Sequence, residues 1–415
     1  MNSRLRSVVV AIGGALRDFW MILGITLVFA VVLETCYRGQ GALRKMLSTA
    51  SAPAPVPHPY ADSAWYPDLK DDMARSDALA WRSYVYFRHR PFRGHYVTVD
   101  DSAHRLTVQP SFDGPGVAPV FFFGGSTMYG SFQRDSMTIP SCVARRLGAL
   151  GNPSLRFRIT NFGETGYIFA QEVVELELEL RNGARPRAVV FYDGINDVMA
   201  ALQNGAPGIP QNERNRAVDF DMGRVVFNWR TDFLSDLRAW GRLFAVGLRR
   251  SQLLQRLRTV LAGPPPAGPA APELARQLVE SYVGTAQQVE ALAKAYGFQT
   301  LYVWQPALHG TGKALTPFEQ RLVSGIEGVP FQQERRAIHG AVPAMLDSAM
   351  APIAGARFVN LSGLFTGYAG PVFVDDIGHT TEAAIPLIVN GFWKPLGGLL
   401  GFKDPGGTAP SCGPR

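Results

Sequence analysis

The sequence predicts an α/β fold in which helices cover both faces of a parallel sheet of about five strands, with one membrane helix at the N-terminus. Two patterns predict the sheet: apolar runs that end at glycine or a polar residue, and helical patterns that alternate with these runs. An uncharged segment at 19–33 predicts the membrane helix. The chain of 415 residues is long enough for one large domain or two smaller ones.

The composition is typical of a globular protein that carries one apolar segment, with 47% hydrophobic and 18% charged residues. The net charge of +7 is mildly basic, but no lysine-rich block, zinc finger or helix-turn-helix pattern accompanies it, so a nucleic acid partner is not expected. The three cysteines are far apart and show no metal-ligand spacing. We therefore expect no disulfide framework, no metal site and no cofactor. The cysteines are Cys36, Cys142 and Cys412.

Residues 19–33 contain no charged side chain. If Arg17 and Glu34 extend towards the two surfaces, about 20 residues are available to cross a hydrocarbon core of ~30 Å. A cleaved signal peptide and a membrane-surface helix are the alternatives, but no small-x-small cleavage site follows the apolar run. We expect an uncleaved signal anchor over 1–37, a Pro/Ala-rich linker over 38–60, and the remaining chain outside the cytoplasm.

The first strand of the predicted sheet is the apolar run from Val120 to Phe123, which stops at Gly124-Gly125 and is followed by Ser126. Such a run is typical of a strand buried on both faces. Glycine lets the backbone turn sharply there and approach a ligand closely. Because ligands of open α/β sheets bind beyond the carboxyl ends of the strands, Ser126 lies where chemistry is expected.

The rest of the sheet is predicted from similar patterns, and residues of about 200–270 interrupt the alternation as a helical insertion rich in arginine. This insertion is either a helix packed on the domain with a solvated basic face, or a contact for a membrane surface or an anionic glycan. The tail at 401–415 is rich in Gly and Pro, and we expect disorder there. Further strands are predicted at 156–163, 188–194, 298–305 and 357–362, and helices at 138–150, 169–181, 273–296, 333–350 and 380–397.

Polar groups follow the strands at four places, and the carboxyl ends of parallel strands all lie at one edge of a sheet. Residues distant in the sequence are therefore expected to meet there. The four places are Ser126, Gly163 with Asn161 nearby, Asn196-Asp197, and the segment from Asp376 to His379.

In this order the four blocks resemble the SGNH (GDSL-type) hydrolase superfamily, in its membrane-anchored bacterial form. The resemblance spans about 115–395, and it implies a flavodoxin-like sandwich and an SGNH hydrolase-like domain over 61–400. One departure is Gly125, where the eponymous motif has Asp before the serine. A second is Thr-Thr-Glu-Ala-Ala after His379, in place of the usual Gly-Asn pair. The matching blocks are Gly124–Gly130, Asn161–Gly166, Gly194–Asp197 and Asp376–His379.

The resemblance implies a role for each of these residues. Ser126 would be the nucleophile and His379 the base that activates it, because a serine hydroxyl is a poor nucleophile until its proton is accepted. Asp376, three residues before the histidine, is expected to orient the imidazole, with Asp375 as its competitor. The oxyanion would be bound by the backbone N–H groups of Ser126 and Gly163 and by the Asn196 side chain.

Three nearby residues are assigned from their positions alone. Asp197 is expected to accept hydrogen bonds from loop amides rather than to take part in catalysis. His309, on a loop after a predicted strand, is interpreted as a surface histidine in preference to a pocket residue. Cys142, on the helix after the nucleophile, is interpreted as a small buried apolar residue.

These expectations favour a serine esterase or acylhydrolase that cleaves an O-acyl ester, such as acetyl, on a glycan, lipid or envelope component. An O-acyltransferase that modifies a polysaccharide with the same residues is one alternative. A non-catalytic subunit for polysaccharide assembly is another, although Ser126, Asn196 and His379 are all present. The expected partners are an acylated glycan or lipid substrate and, through the N-terminal helix, a membrane.

Overall fold

The structure is a computed structural model, and its description covers most of the chain. The described residues are 13–14, 17–18, 20–26, 28–36, 39–40, 56–111, 116–150, 156–213, 216–217, 269–310, 312–325, 329–353, 357–402 and 412.

The chain divides into two compact units. The first comprises Met1–Pro55 and Asn215–Ala267, and all of its described residues are helical. The second comprises Val56–Arg214 and Gly268–Arg415, and it contains every strand in the described part of the chain.

The second unit begins with a small N-terminal portion that precedes the main sheet. Helix α1 spans Tyr66–Ser76. Two short antiparallel pairs follow, in which β1 pairs with β2 and β3 pairs with β4. Strands β1 to β4 span Leu79–Arg82, Tyr86–His89, Phe92–Arg93 and Thr98–Val99.

The main sheet has five strands in the order β6-β5-β7-β8-β9, and all of its neighbouring strands are parallel. Counted along the chain this is the order 2-1-3-4-5 of flavodoxin-like folds, so the predicted parallel sheet is confirmed. The strand order reverses between β5 and β7, and ligands of such sheets bind at that point. The strands β5 to β9 span Ala118–Gly124, Phe157–Asn161, Ala188–Asp193, Gln299–Trp304 and Phe358–Asn360.

Side chains of β5 alternate between two hydrophobic cores. Val120 and Phe122 belong to the core on one face of the sheet, and Phe121 and Phe123 to the core on the other. Strand β5 is therefore buried on both sides, which explains its unbroken apolar run. Helices α3 and α9 pack into the first core, and α4, α6 and α8 into the second. The helices α2 to α9 span Ser126–Tyr129, Ile139–Ala149, Phe169–Arg181, Ile195–Asn204, Ala271–Tyr296, Pro317–Ser324, Pro330–Met350 and Ile385–Leu400.

One described helix, Glu382–Leu400, is long and apolar enough to cross a membrane by length and composition, but 56% of it is buried inside the structure. Its side chains Ile388, Phe392 and Leu396 are fully buried in the first core, so it is a core helix. The apolar helix Trp20–Cys36 falls in a shorter class and includes residues outside the described ones. The predicted signal anchor over 1–37 therefore stays a prediction.

Three other predicted segments fall largely outside the described residues. These are most of the linker over 38–60, residues 218–268 of the insertion and nearly all of the tail over 401–415. The end of the linker from Val56 to Tyr60 belongs to the second unit, in which Tyr60 is buried and its hydroxyl accepts a hydrogen bond from the Glu382 N–H.

The expectation of no disulfide is wrong. Cys142 on α3 is bonded to Cys412, and the two Cα atoms are 5.1 Å apart, within the usual range for such a bridge. The bond joins residues 270 positions apart. Spacing along the chain therefore gave no signal for it, and Cys412 lies in the tail that was expected to be disordered. The third cysteine, Cys36, is exposed and free.

Removing this bridge is expected to lower stability. Cys412→Ser should reduce the free energy of unfolding of the oxidised full-length protein by about 2–4 kcal/mol, because a cross-link over a long loop constrains the unfolded chain. Denaturant unfolding measures the change, and Cys36→Ser, which removes only an exposed thiol, is the matched control. Equal stabilities for the two variants under non-reducing conditions would contradict the expectation.

Candidate active site

Ser126 lies at the carboxyl end of β5, where it is the first residue of the short helix α2. His379 comes 253 residues later, and its Nε2 atom lies 2.7 Å from the Ser126 Oγ atom. The two residues are 7% and 8% exposed. The structure thus brings together the two residues that were expected to be nucleophile and base, at a distance suited to proton transfer.

The carboxylate bound to His379 belongs to Asp375, and the prediction of Asp376 is wrong on this point. The Asp375 Oδ2 atom lies 2.5 Å from His379 Nδ1. Its Oδ1 atom accepts the N–H groups of Gly378 and His379 at 2.9 and 3.0 Å. The chain therefore wraps around the Asp375 carboxylate in a five-residue turn, helped by Gly378 at φ 116°.

Asp376 takes part in this turn through its backbone. Its carbonyl accepts a hydrogen bond from Arg335 at 3.0 Å. The choice between adjacent aspartates depends on which side chain the turn directs inwards, and the sequence spacing of three or four residues does not decide this.

Asp375 is held as a carboxylate by its neighbours. Burial acts to raise the pKa of Asp375, but the hydrogen bond and the charge interaction with His379, together with the N–H groups of Gly378 and His379, outweigh it. The net effect is a pKa below the ordinary value. An ionised acid that accepts a hydrogen bond from Nδ1–H keeps that proton on Nδ1, which leaves Nε2 free to accept a proton from Ser126.

Asn196 is the second residue of α5 and lies near the nucleophile, as expected. Its side-chain Nδ2 donates to the Tyr167 carbonyl at 2.7 Å, which uses one of the two amide hydrogens. Its Oδ1 accepts from Gln211 at 3.3 Å. A Cβ atom on Gly125 would lie only 2.1 Å from Nδ2.

Gly125 is therefore the residue that leaves room for the Asn196 amide beside Ser126. Its backbone, at φ −77° and ψ −155°, is open to any residue, so space is the reason for the glycine.

Gly163 is close to the nucleophile loop, but its N–H group is not free. It donates to the Asn161 side-chain oxygen at 2.9 Å, and Asn161 Nδ2 donates to the Met128 carbonyl at 3.0 Å. A Cβ atom on Gly163 would lie 2.3 Å from the Tyr129 nitrogen. The glycine thus permits two backbone segments to meet, and the predicted use of its N–H for an oxyanion requires that the bond to Asn161 open.

Asp197 accepts hydrogen bonds from loop amides, as expected. Its two oxygens accept the N–H groups of Phe169 and Gly194 at 3.1 and 3.2 Å. Burial raises the pKa of Asp197 to about 6, against the effect of these amides. Asp197 thereby ties the start of α4 to the turn that carries Asn196.

A second group of buried residues supports the loop after β6, and no pattern in the sequence indicates it. Glu164 is fully buried and accepts hydrogen bonds from the backbone N–H and the Nδ1 atom of His89 on β2. The His89 ring stacks on Tyr129 of α2, with centroids 4.4 Å apart. The N-terminal hairpin therefore packs directly under the segment that follows Ser126.

His309 is 3% exposed, so its interpretation as a surface histidine is wrong. Burial first, and then the charges of Arg335 and Arg336, lower its pKa to about 4. Within the described part of the chain, no group of three or more His, Cys, Asp or Glu side chains is arranged to hold a metal ion.

No protein family and no curated protein sequence matches the chain. Among solved structures it is similar to the acetyl xylan esterase AlAXEase, with 12% identity, a TM-score of 0.35, and coverage of 67% of this chain and 99% of that one. It is also similar to TesA, with 16% identity, a TM-score of 0.32 and coverage of 68% and 99%. A carbohydrate acetylesterase family member from Sinorhizobium meliloti is similar as well, with 14% identity, a TM-score of 0.34, and coverage of 69% of this chain and 100% of that one. Similarity this low does not assign a function.

The contact between Gly125 and Asn196 predicts a measurable coupling. Gly125→Ala should lower the free energy of unfolding by about 1–3 kcal/mol, because the added methyl group overlaps the Asn196 amide. Asn196→Ala removes that amide, so the double variant should lose less stability than the sum of the two single variants. Denaturant unfolding of the wild type, the two single variants and the double variant measures this double-mutant cycle. Strictly additive losses of stability would contradict the contact.

Proposed function

We propose that this protein is a serine ester hydrolase of the SGNH type that uses Ser126, His379 and Asp375. One observation carries the proposal: an unbroken chain of hydrogen bonds runs from the Ser126 hydroxyl through the imidazole to the Asp375 carboxylate, at the point where the strand order reverses.

The reaction follows from the order of these bonds. The Ser126 Oγ atom attacks the ester carbonyl and passes its proton to His379 Nε2, while the Nδ1–H group donates to Asp375. The tetrahedral intermediate collapses, the alcohol leaves with the proton from Nε2, and an acyl-serine remains. Water then attacks the acyl group by the same sequence, with Nε2 accepting its proton, and releases the acid.

Two groups are suited to bind the oxyanion. The Ser126 N–H is at the start of a helix, where it has no acceptor within the helix, and Asn196 Nδ2 keeps a second hydrogen besides the one given to Tyr167. Gly163 would supply a third donor once its bond to Asn161 opens. One such donor is typically worth about 3–4 kcal/mol in the transition state.

The proposed substrate is an O-acyl ester, such as acetyl, on a glycan, lipid or envelope component, and the proposed location is outside the cytoplasm. The disulfide between Cys142 and Cys412 supports this location, because such bonds persist in oxidising compartments. The described residues 20–26 and 28–36 are helical, and their apolar side chains such as Trp20, Ile25 and Val28 are over 60% exposed, which supports the proposed membrane anchor.

Acyl transfer to a sugar hydroxyl is the second candidate. The observation that favours it is the low exposure of Ser126 and His379, because a site that limits water protects an acyl-enzyme from hydrolysis. The first half-reaction is the same, and the two functions differ only in the acceptor of the acyl group.

The two aspartates give a sharp test of the triad. Asp375→Asn should lower kcat on a small aryl ester by roughly 10³–10⁴-fold, because the amide does not hold the imidazole in the required tautomer. Asp376→Asn is the matched control, and its kcat should stay within about twofold, because only its backbone carbonyl is used in the turn. A large loss in the Asp376 variant with a normal Asp375 variant would reverse the assignment.

The acceptor is tested with the full-length protein and acetylated glycans, with and without an unacetylated acceptor sugar. If the protein is a hydrolase, acetate should be released at the same rate with and without the acceptor sugar. If it is a transferase, adding the acceptor should produce acetylated acceptor and lower the amount of free acetate. Both activities should disappear in Ser126→Ala, which should keep the wild-type melting temperature. Activity in that variant would exclude Ser126 as the nucleophile.

A further inference from the structure

Arg335 is a buried cation beside the turn that joins the proposed acid and base. It lies on α8 and is only 1% exposed. Its Nη2 atom donates to the carbonyls of Asp376 and Ile377, at 3.0 and 2.6 Å. These carbonyls belong to the two peptide units in the middle of the turn between Asp375 and His379.

The turn is therefore held from both sides through its backbone. On the inner side, the N–H groups of Gly378 and His379 donate to Asp375 Oδ1. On the outer side, the preceding carbonyls accept from Arg335. Since the turn spans only five residues, its backbone conformation sets the 2.5 Å contact between Asp375 Oδ2 and His379 Nδ1.

The charge of Arg335 is costly to bury, which points to a specific use. Among the described residues its Nε atom has no hydrogen-bond partner, and its Nη1 atom reaches only the Gln332 side chain, at 3.3 Å. Burial lowers the pKa of Arg335, and the charges of Asp376 and Asp375 act against this. The Nη2 atom of a guanidinium carries two N–H donors, so this one nitrogen binds two adjacent carbonyls.

Two buried histidines close to Arg335 carry no charge. His309 and His339 are both buried close to it, and burial together with the charge of Arg335 lowers the pKa of each. Both rings are therefore neutral near pH 7. Arg336, the next residue along α8, is exposed and has no hydrogen bond to the turn among the described residues.

We propose that Arg335 is a positioning residue for the reaction. By binding the carbonyls of Asp376 and Ile377, it holds the turn in the conformation that presents the Asp375 carboxylate to His379. The proposal rests on the proposed function for its effect on rate. The effect on the conformation of the turn is independent of that function.

The rate is tested with Arg335→Lys, Arg335→Gln and Arg335→Met, and with Arg336→Gln as the matched control. The Gln and Met variants should lose roughly 10- to 100-fold in kcat on an aryl ester with KM nearly unchanged, because a small misplacement of a catalytic group costs that much. Arg335→Lys should recover part of the loss, because an ammonium group donates to the same carbonyls but lacks the planar, rigid geometry of a guanidinium. Arg336→Gln should behave as wild type.

Met retains much of the length of arginine and cannot donate, so it separates positioning from packing. A wild-type kcat in the Met variant would overturn the proposal, as would equal losses in the Arg335 and Arg336 variants. The labelling rate of Ser126 by a fluorophosphonate supplies the same comparison without a need for the natural substrate.

Hydrogen exchange tests the turn without any activity. In the Ser126→Ala background, a peptide that contains 375–379 should exchange its Gly378 and His379 amide hydrogens at least about tenfold faster after Arg335→Met, with exchange in the sheet unchanged. Unchanged exchange in this peptide would overturn the proposal. If wild-type protein fails to react at Ser126 with the fluorophosphonate, the proposed function fails, and the exchange result still decides the role of Arg335.

Discussion

The hydrogen bond between His379 and Ser126 joins two parts of the chain that are 253 residues apart, and the arrangement of the site depends on it. Both residues lie beyond the carboxyl edge of the parallel sheet. Strand β5 carries Ser126 there, and β7 carries Asn196 to the neighbouring position. The crevice at which the strand order reverses lies between these two strands, so the sheet topology itself brings the nucleophile and a candidate oxyanion donor together.

Close backbone approach is the second constraint on the site. Gly125 leaves space for the Asn196 amide, and Gly163 allows its loop to lie against the backbone of Tyr129. At both positions a methyl group would come within 2.3 Å of a neighbouring nitrogen atom. The site therefore needs a residue without a side chain at these two positions, and its polar groups are held mainly by bonds to backbone atoms.

Buried charges supply the third layer of support. Glu164 joins the loop after β6 to the N-terminal hairpin through His89, and Arg335 binds the turn that contains Asp375. Burying such groups costs free energy unless hydrogen bonds satisfy them. In each case the partners include backbone groups of a loop next to the triad. The hydrogen bonds that offset the cost of burial therefore also hold the conformation of the loops next to the triad.

Much of this organisation was determined by the sequence alone. Runs that end at glycine or a polar residue predicted the five strands, and helical periodicity predicted the helices between them. The run of β5 is unbroken because a strand buried on both faces is apolar. The positions of Ser126, Asn196 and His379 after strands were sufficient to predict that they meet. Asp197 was correctly interpreted as an acceptor for loop amides, because an acidic residue at the start of a helix faces unpaired N–H groups.

Only the tertiary structure decided the contacts that depend on side-chain direction and on segments far apart in the chain. Asp375 and Asp376 are chemically identical, and the turn alone determines which of them faces the imidazole. The bond between Cys142 and Cys412, the burial of His309 and the use of the Gly163 N–H by Asn161 arise from packing that sequence spacing does not encode. Periodicity reports which face of an element is buried, whereas hydrogen-bond partners are set by distances of a few ångströms between elements.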